Sequence, residues 1–267
     1  MILLTALAAV TAWVVFRPGT DPVYQGRRLS SWGKAAARTN VVALDSQFLK
    51  GVEQTGTDAI PVLLNMVRAH DTRWKMRLLR LLRKQDFIRF DPPKSDRLND
   101  LGYGGFAVLG KRGKAALPDL IRITEGNYSP TSEFAAITSL QYLGSDARAA
   151  VPVLVRQTES TNGMIRAAAI AALISVRDSS PAVVAALVDR VDDSSDPVKI
   201  YAFEGLRQFA PDAKSAVPKL EAYIRGTSNN SKPAPNAAQA RKGAILALKA
   251  IDPASAAALA TELKEGW

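Results

Sequence analysis

The chain has 267 residues, 47% of them hydrophobic and 22% charged, the balance of an ordinary folded globular chain and too apolar for extended disorder. The absence of cysteine removes disulfides, thiolate metal sites and cysteine nucleophiles together, and leaves the redox compartment open. A formal charge of +10 favours anionic partners, and its placement along the chain matters more than its sum.

Residues 1–17 form a hydrophobic leader. Met1 to Phe16 carry no charged side chain and run straight into Arg17, Pro18 and Gly19. Residues 2–16 fall short of the roughly 20 that a helix needs to cross about 30 Å of hydrocarbon. The segment reads as an uncleaved membrane anchor, a cleaved signal peptide or a buried helix; the missing basic start and short apolar core weigh against cleavage. The expected location is therefore membrane-anchored or extracytoplasmic. The cytoplasmic face stays open, because Arg17, Arg27, Arg28 and Lys34 all follow the leader.

Residues 18–42 read as an N-terminal cap, with Tyr24, Leu29 and Trp32 as apolar points in a polar strip and Ser30 or Ser31 as the cap of a short helix. Helical periodicity takes over from Val41. One helix is expected over Asp45–Gln54, and GTDAIPVLLNMVRA (Gly56 to Ala69) predicts a second, with Pro61 in the first turn where its missing donor costs nothing. Asp71 or Thr72 can cap RWKMRLLRLLRKQ. The adjacent Pro92 and Pro93 mark residues 86–95 as an irregular connection before a helix over Ser95 to Leu109.

Beyond that point the chain repeats. Leu143, Val176 and Phe209 recur every 33 residues, Leu140, Leu173 and Leu206 three before them, and Ala136, Ala169 and Ala202 seven before. Pro118, Pro152 and Pro218 open three first helices, and Ala185 occupies the same position in the unit between. A unit with one small residue, one leucine and one large apolar residue in phase is too small to bury its own apolar face and must stack on neighbours. The fold class is an all-α solenoid of stacked antiparallel helix pairs, with a period of about 33–34, over residues 43–267. A loop insert at residues 226–236 delays the last partner helix, which holds Ala244, Leu248 and Ile251.

The pattern Ala-x-x-x-x-Pro-x-Leu, a short Asp- or Ser-containing turn, then Ile165-Arg166-x-x-Ala169 with Leu173, resembles HEAT repeats of the short bacterial type from about Gly56 onward. The Tyr-x-Gly-x-x-Leu-Ser-x-Trp strip after a hydrophobic leader is similar to the start of bacterial HEAT-repeat proteins carried on or across a membrane. Units here are shorter than the roughly 40 to 47 residues of standard HEAT repeats. The resemblance implies that second helices line the concave side, including those with Arg77, Ile165 to Val176, Val198 to Phe209 and Arg241 to Ile251.

Charge is concentrated between Arg68 and Arg97, where ten basic residues face four acidic ones, for +6. Arg73, Arg77, Arg80 and Lys84 follow i, i+4, i+7 and i+11 and form one stripe, with Trp74, Leu78, Leu81 and Leu82 turned to the stack. This stripe is the expected binding surface, with Arg166, Lys199 and Arg241 as weaker candidates on the same side. A solvated or lipid-facing helix face explains the stripe as well.

Catalytic chemistry finds little footing. His70 is the one histidine, which leaves no histidine metal cluster and a single candidate for a triad. The run Asp192 to Asp196 lacks the glycine and distal glutamate of a calcium loop, and Ser195 or Asp196 as helix cap explains it. The glycines at 102, 104 and 105 imitate a dinucleotide fingerprint, and Gly105 to Lys111 imitates a phosphate loop, but neither has a preceding strand. No catalytic residue, metal ligand or cofactor is assigned. The expected protein is a non-enzymatic, monomeric scaffold for a protein partner with an acidic surface, associated with a membrane through residues 2–16. The alternative is a nucleic-acid or anionic-polymer binder using the stripe at 68–97 with Trp74 and Phe90.

Overall fold

The computed structural model describes residues 21–39, 41–72, 77, 92–228 and 235–267. The hydrophobic leader, most of the basic stripe and the centre of the loop insert lie outside them. Among the described residues no helix is long and apolar enough to cross a membrane. The chain divides into two units, Met1–Leu109 and Gly110–Trp267.

In the first unit, β1 (Val23–Tyr24) and β2 (Arg27–Arg28) form an antiparallel hairpin. Gln25 and Gly26 both take positive φ, 49° and 72°, as a two-residue primed turn requires. α1 (Leu29–Arg38) follows at once. Its first turn is held by Asp21 and Pro22 rather than by a serine cap: the Asp21 carboxylate accepts from Ser30 N at 3.0 Å and Ser30 Oγ at 2.6 Å, and the Pro22 carbonyl accepts from Leu29 N at 2.8 Å. Tyr24 and Leu29 are buried, and Trp32 Nε1 donates to the Tyr24 carbonyl at 3.1 Å, so the cap strip folds on itself.

α2 (Val42–Thr55) leads through a short 3₁₀ turn at Gly56–Ala59 to α3 (Ile60–Val67), with Pro61 in its first turn. α4 (Ser95–Leu109) packs along α3. A side chain fixes this pair: Asn99 Nδ2, buried, lies 2.9 Å from each of the Met66, Val67 and Ala69 carbonyls, at and just beyond the end of α3, where carbonyls run short of helical donors. The glycines of the imitation nucleotide motif sit inside α4. A Cβ on Gly102 would stand 2.9 Å from Val67 N, and one on Gly105 2.2 Å from Leu63 Cδ2, so both are there for close helix packing.

The second unit is the helix-pair stack. First helices α5 (Leu117–Glu125), α7 (Val151–Gln157), α9 (Pro181–Asp189) and α11 (Val217–Ser228) alternate with second helices α6 (Pro130–Leu143), α8 (Gly163–Val176), α10 (Asp196–Gln208) and α12 (Pro235–Ile251). A last helix, α13 (Pro253–Leu263), closes on α12. Each second helix packs on the next, α6 on α8, α8 on α10 and α10 on α12. The repeat register is the core register. Ala136, Ala169 and Ala202 and Leu140, Leu173 and Leu206 are fully buried, and Leu143, Val176 and Phe209 lie at or near full burial.

Three first helices enter from a 3₁₀ turn and carry proline at their second residue, Pro118, Pro152 and Pro218. The third unit departs from this. α9 begins at Pro181, which puts Ala185 in the helix interior rather than at its opening. The cause is local. Gly110 and Gly144 turn with φ of 52° and 59° into 3₁₀ segments (Gly110–Ala116 and Gly144–Ala150), whereas Arg177 takes the left-handed conformation and Asp178 Oδ1 accepts from Ser180 N at 2.9 Å. That turn delivers Pro181 directly to the first helical position.

Candidate functional site

Two features organise the second-helix side of residues 110–267: a ladder of charged residues at one repeat position, and an apolar surface that nothing in the unit covers.

The ladder holds three residues expected to bind a partner. Arg166, Lys199 and Arg241 occupy one repeat position, with Glu133 at the same position on α6. Arg166 is only 8% exposed. Its Nε donates to Asp193 Oδ2 at 2.8 Å, its Nη2 to Asp193 Oδ1 at 2.6 Å, and its Nη1 to the Ser160 carbonyl at 2.9 Å. The guanidinium is thus directed into the joint with the following unit. Burial pushes the Asp193 carboxyl up, but the Arg166 hydrogen bonds, the Ser195 N–H at 2.9 Å and the Arg166 and Arg190 charges outweigh it and hold the group below the usual carboxylate range. Ser195 stands at the N-cap of α10 without a side-chain cap bond, and Asp193 is the working acid of the run Asp192 to Asp196.

Lys199 Nζ lies 2.7 Å from Asp196 Oδ1 and 5.7 Å from the centre of the Tyr223 ring. Arg241 Nη2 lies 2.6 Å from Glu265 Oε2, which also accepts from Trp267 Nε1 at 2.7 Å. On α6 burial raises the Glu133 carboxyl, with a Gln157 hydrogen bond opposing it. Arg166, Lys199 and Arg241 therefore carry internal partners; their spacing of 33 and then 42 residues, the second lengthened by the loop insert, marks only their common repeat position. Of the basic stripe, Arg77 is helical and exposed, while Arg73, Arg80 and Lys84 lie outside the described residues, as do Trp74 and Phe90.

The apolar surface was not foreseen. Tyr142, Met164, Tyr201 and Leu246 are exposed by 39%, 62%, 43% and 44%, one on each second helix, while no large apolar side chain of the four first helices is exposed to that degree. Two grooves accompany them. The first, about 200 Å³, lies between Phe134, Thr138 and Gln141 of α6 and Met164, Ala168 and Ala171 of α8. The second, about 370 Å³, lies between Ile200, Glu204 and Arg207 of α10 and Lys242, Gly243 and Leu246 of α12. Tyr201 borders both.

The grooves are built from the same repeat positions two units apart. Phe134, Thr138 and Gln141 become Ile200, Glu204 and Arg207; Ala168 and Ala171 become Gly243 and Leu246. At its own repeat position Tyr201 replaces Ala135 and Ala168 and precedes Gly243, so one ring stands among small residues. Charge separates the two grooves. The first is lined by neutral side chains; in the second, Arg207 holds Glu204 through two bonds of 2.7 and 2.9 Å, and Lys242 stands exposed without an ion pair among the described residues.

The helix pairs α5–α6, α7–α8 and α9–α10, the buried Arg166–Asp193 pair and the 33-residue core register meet in one segment. Residues 117–207 match the HEAT repeats family. The match opens on the first residue of α5 and closes on Arg207 near the end of α10, so both grooves draw on HEAT-repeat helices. No curated protein matches the chain. Among solved structures, the crystal structure of an engineered protein is similar with a TM-score of 0.51 and 16% identity, over 84% of this chain and 89% of that one. A designed armadillo repeat protein in complex with the peptide (KR)4 gives a TM-score of 0.48 and 15% identity, over 84% of this chain and 99% of that one. The HEAT-repeat segment and the stacked helix pairs together make the chain a repeat scaffold.

Proposed function

We propose that the protein is a non-enzymatic scaffold that captures a protein partner on its second-helix face, the side that the HEAT resemblance puts on the concave surface. One observation carries the reading: exposed large apolar side chains sit on every second helix of residues 110–267 and on none of the first helices. Scattered surface apolar residues are normal, but a set confined to one side and accompanied by grooves marks an interaction surface. Aromatic anchors such as Tyr201 supply much of the affinity of such surfaces at low entropic cost. Delivery to a membrane or across it by residues 2–16 belongs to the same proposal.

The test is partner recovery by the double variant Tyr201→Ser, Leu246→Ser. Both side chains stand outside the core, so the helical signal and melting behaviour are expected to stay as they were while recovery falls. Unchanged recovery by the folded double variant removes this face from the binding site.

Nucleic-acid binding through Arg73, Arg77, Arg80 and Lys84 is the second reading, favoured by the exposed, helical Arg77. A fluorescence titration with duplex DNA at two salt concentrations decides it. Phosphate contacts require binding at low salt with a steep salt slope, and no binding at low salt eliminates it.

A further inference from the structure

We infer that the second-helix face of residues 110–267 takes an extended, acidic–apolar peptide segment, which places an apolar side chain in the Phe134–Ala168 groove and a carboxylate at Lys242. The inference rests on the scaffold reading above and adds the chemistry of the occupant.

Charge selects that chemistry. In the second groove the Glu204 and Arg207 charges satisfy each other, so Lys242 is the uncompensated charge on the wall. A carboxylate there gains a charge-assisted contact at an exposed site, where no desolvated ion has to be removed first. The first groove carries no charge and ends on alanines, so it suits an apolar side chain. Nucleic acid does not fit this face, because a phosphate backbone needs cations along its whole track and the first groove offers none.

Geometry selects an extended chain. The two grooves lie two second helices apart. At about 8–10 Å between neighbouring helix axes, the separation is roughly 16–20 Å. An extended chain rising about 3.3 Å per residue covers that in five to six residues while crossing Tyr201. Small residues at Ala168 and Gly243 let a backbone approach on both sides of the ring.

The test uses the full chain and a library of random twelve-residue peptides displayed on phage. The enriched peptides are expected to carry an aromatic or aliphatic residue five to six positions from an Asp or Glu. Their affinity, read by fluorescence polarisation, is expected to fall about tenfold in Lys242→Glu, the cost of losing a charge-assisted contact and meeting a like charge. A similar loss is expected in Ala171→Leu, which fills the first groove with the residue already present at that position as Leu246. Circular dichroism confirms that both variants remain folded. Peptides that need Tyr201 but ignore Lys242→Glu, or that are enriched in basic residues, overturn the acidic occupant and leave the scaffold reading standing. If no peptide is enriched, or if the enriched ones bind a Tyr201→Ser variant unchanged, the acidic peptide is overturned and the second-helix face loses its support as well.

Discussion

Arg166 and Asp193 form a two-pronged ion pair, 2.8 and 2.6 Å, inside the joint between consecutive helix pairs, with side chains only 10% and 3% exposed. Removing one partner from such a pair strands a buried charge, whereas replacing both with apolar groups of similar volume is often neutral. Arg166→Met is expected to cost about 3–5 kcal/mol in urea unfolding. The double variant Arg166→Met, Asp193→Leu is expected to recover most of that loss. Equal losses in single and double variants would show that the cost lies in packing, not in the stranded carboxylate.

The same pair sets a pH dependence. The folded-state pKa of Asp193 lies below its unfolded value, so its contribution to stability is present above the unfolded value and is lost as pH falls through the folded one. In Arg166→Met the burial that raises the carboxyl is no longer opposed by Arg166. The stability gap between wild type and Arg166→Met is therefore expected to be widest near neutral pH and to narrow as pH falls through the carboxylate range, from the variant's raised folded-state value to the lowered one of the wild type. Urea titrations across that range check it, and a constant gap would contradict it.

Gly102→Ala tests the packing of α4 on α3. The new Cβ would stand 2.8 Å from Val67 Cγ2 and 2.9 Å from backbone nitrogen, which cannot rotate away. Overpacking of this kind costs about 1–3 kcal/mol. Gly104→Ala is the control, since its Cβ would meet only Leu49 Cδ2 at an ordinary 3.7 Å. Thermal unfolding of the two variants is expected to separate them clearly.

Charge reversal at Arg77 and Arg80 tests the basic stripe, whose residues all belong to the first unit. Arg77 is exposed, and surface substitutions of this kind usually stay within about 0.5 kcal/mol, so the variant is expected to fold. Weakened partner capture would bring the stripe into the site. Unchanged capture would remove it.

The repeat core was legible because burial is periodic. Ala169, Leu173 and Val176 are fixed by position in the unit, and a 33-residue interval shows them without coordinates. The helix over Ser95–Leu109 was legible too, with Gly102 explained by packing rather than by nucleotide chemistry. The early start of α9 was not, because it depends on Arg177 taking a conformation more often given to glycine. Arg166 and Lys199 looked like surface cations because sequence shows a charge but not the partner 27 residues on, or the ring of Tyr223, that draws it inward. The grooves escaped notice for a related reason. Their walls join helices about a unit apart, and the telling substitution, Tyr201 among alanines and glycine, has meaning only once the helices are side by side.

The most direct measurement is photo-cross-linking from single benzoylphenylalanine substitutions in the full-length protein in its native cells, at Tyr201 on the second-helix face and at Arg122, which is exposed on a first helix. Capture on the second-helix face predicts a discrete adduct from position 201 that Leu246→Ser weakens, and none from position 122. Adducts from position 122 with none from 201 would contradict it.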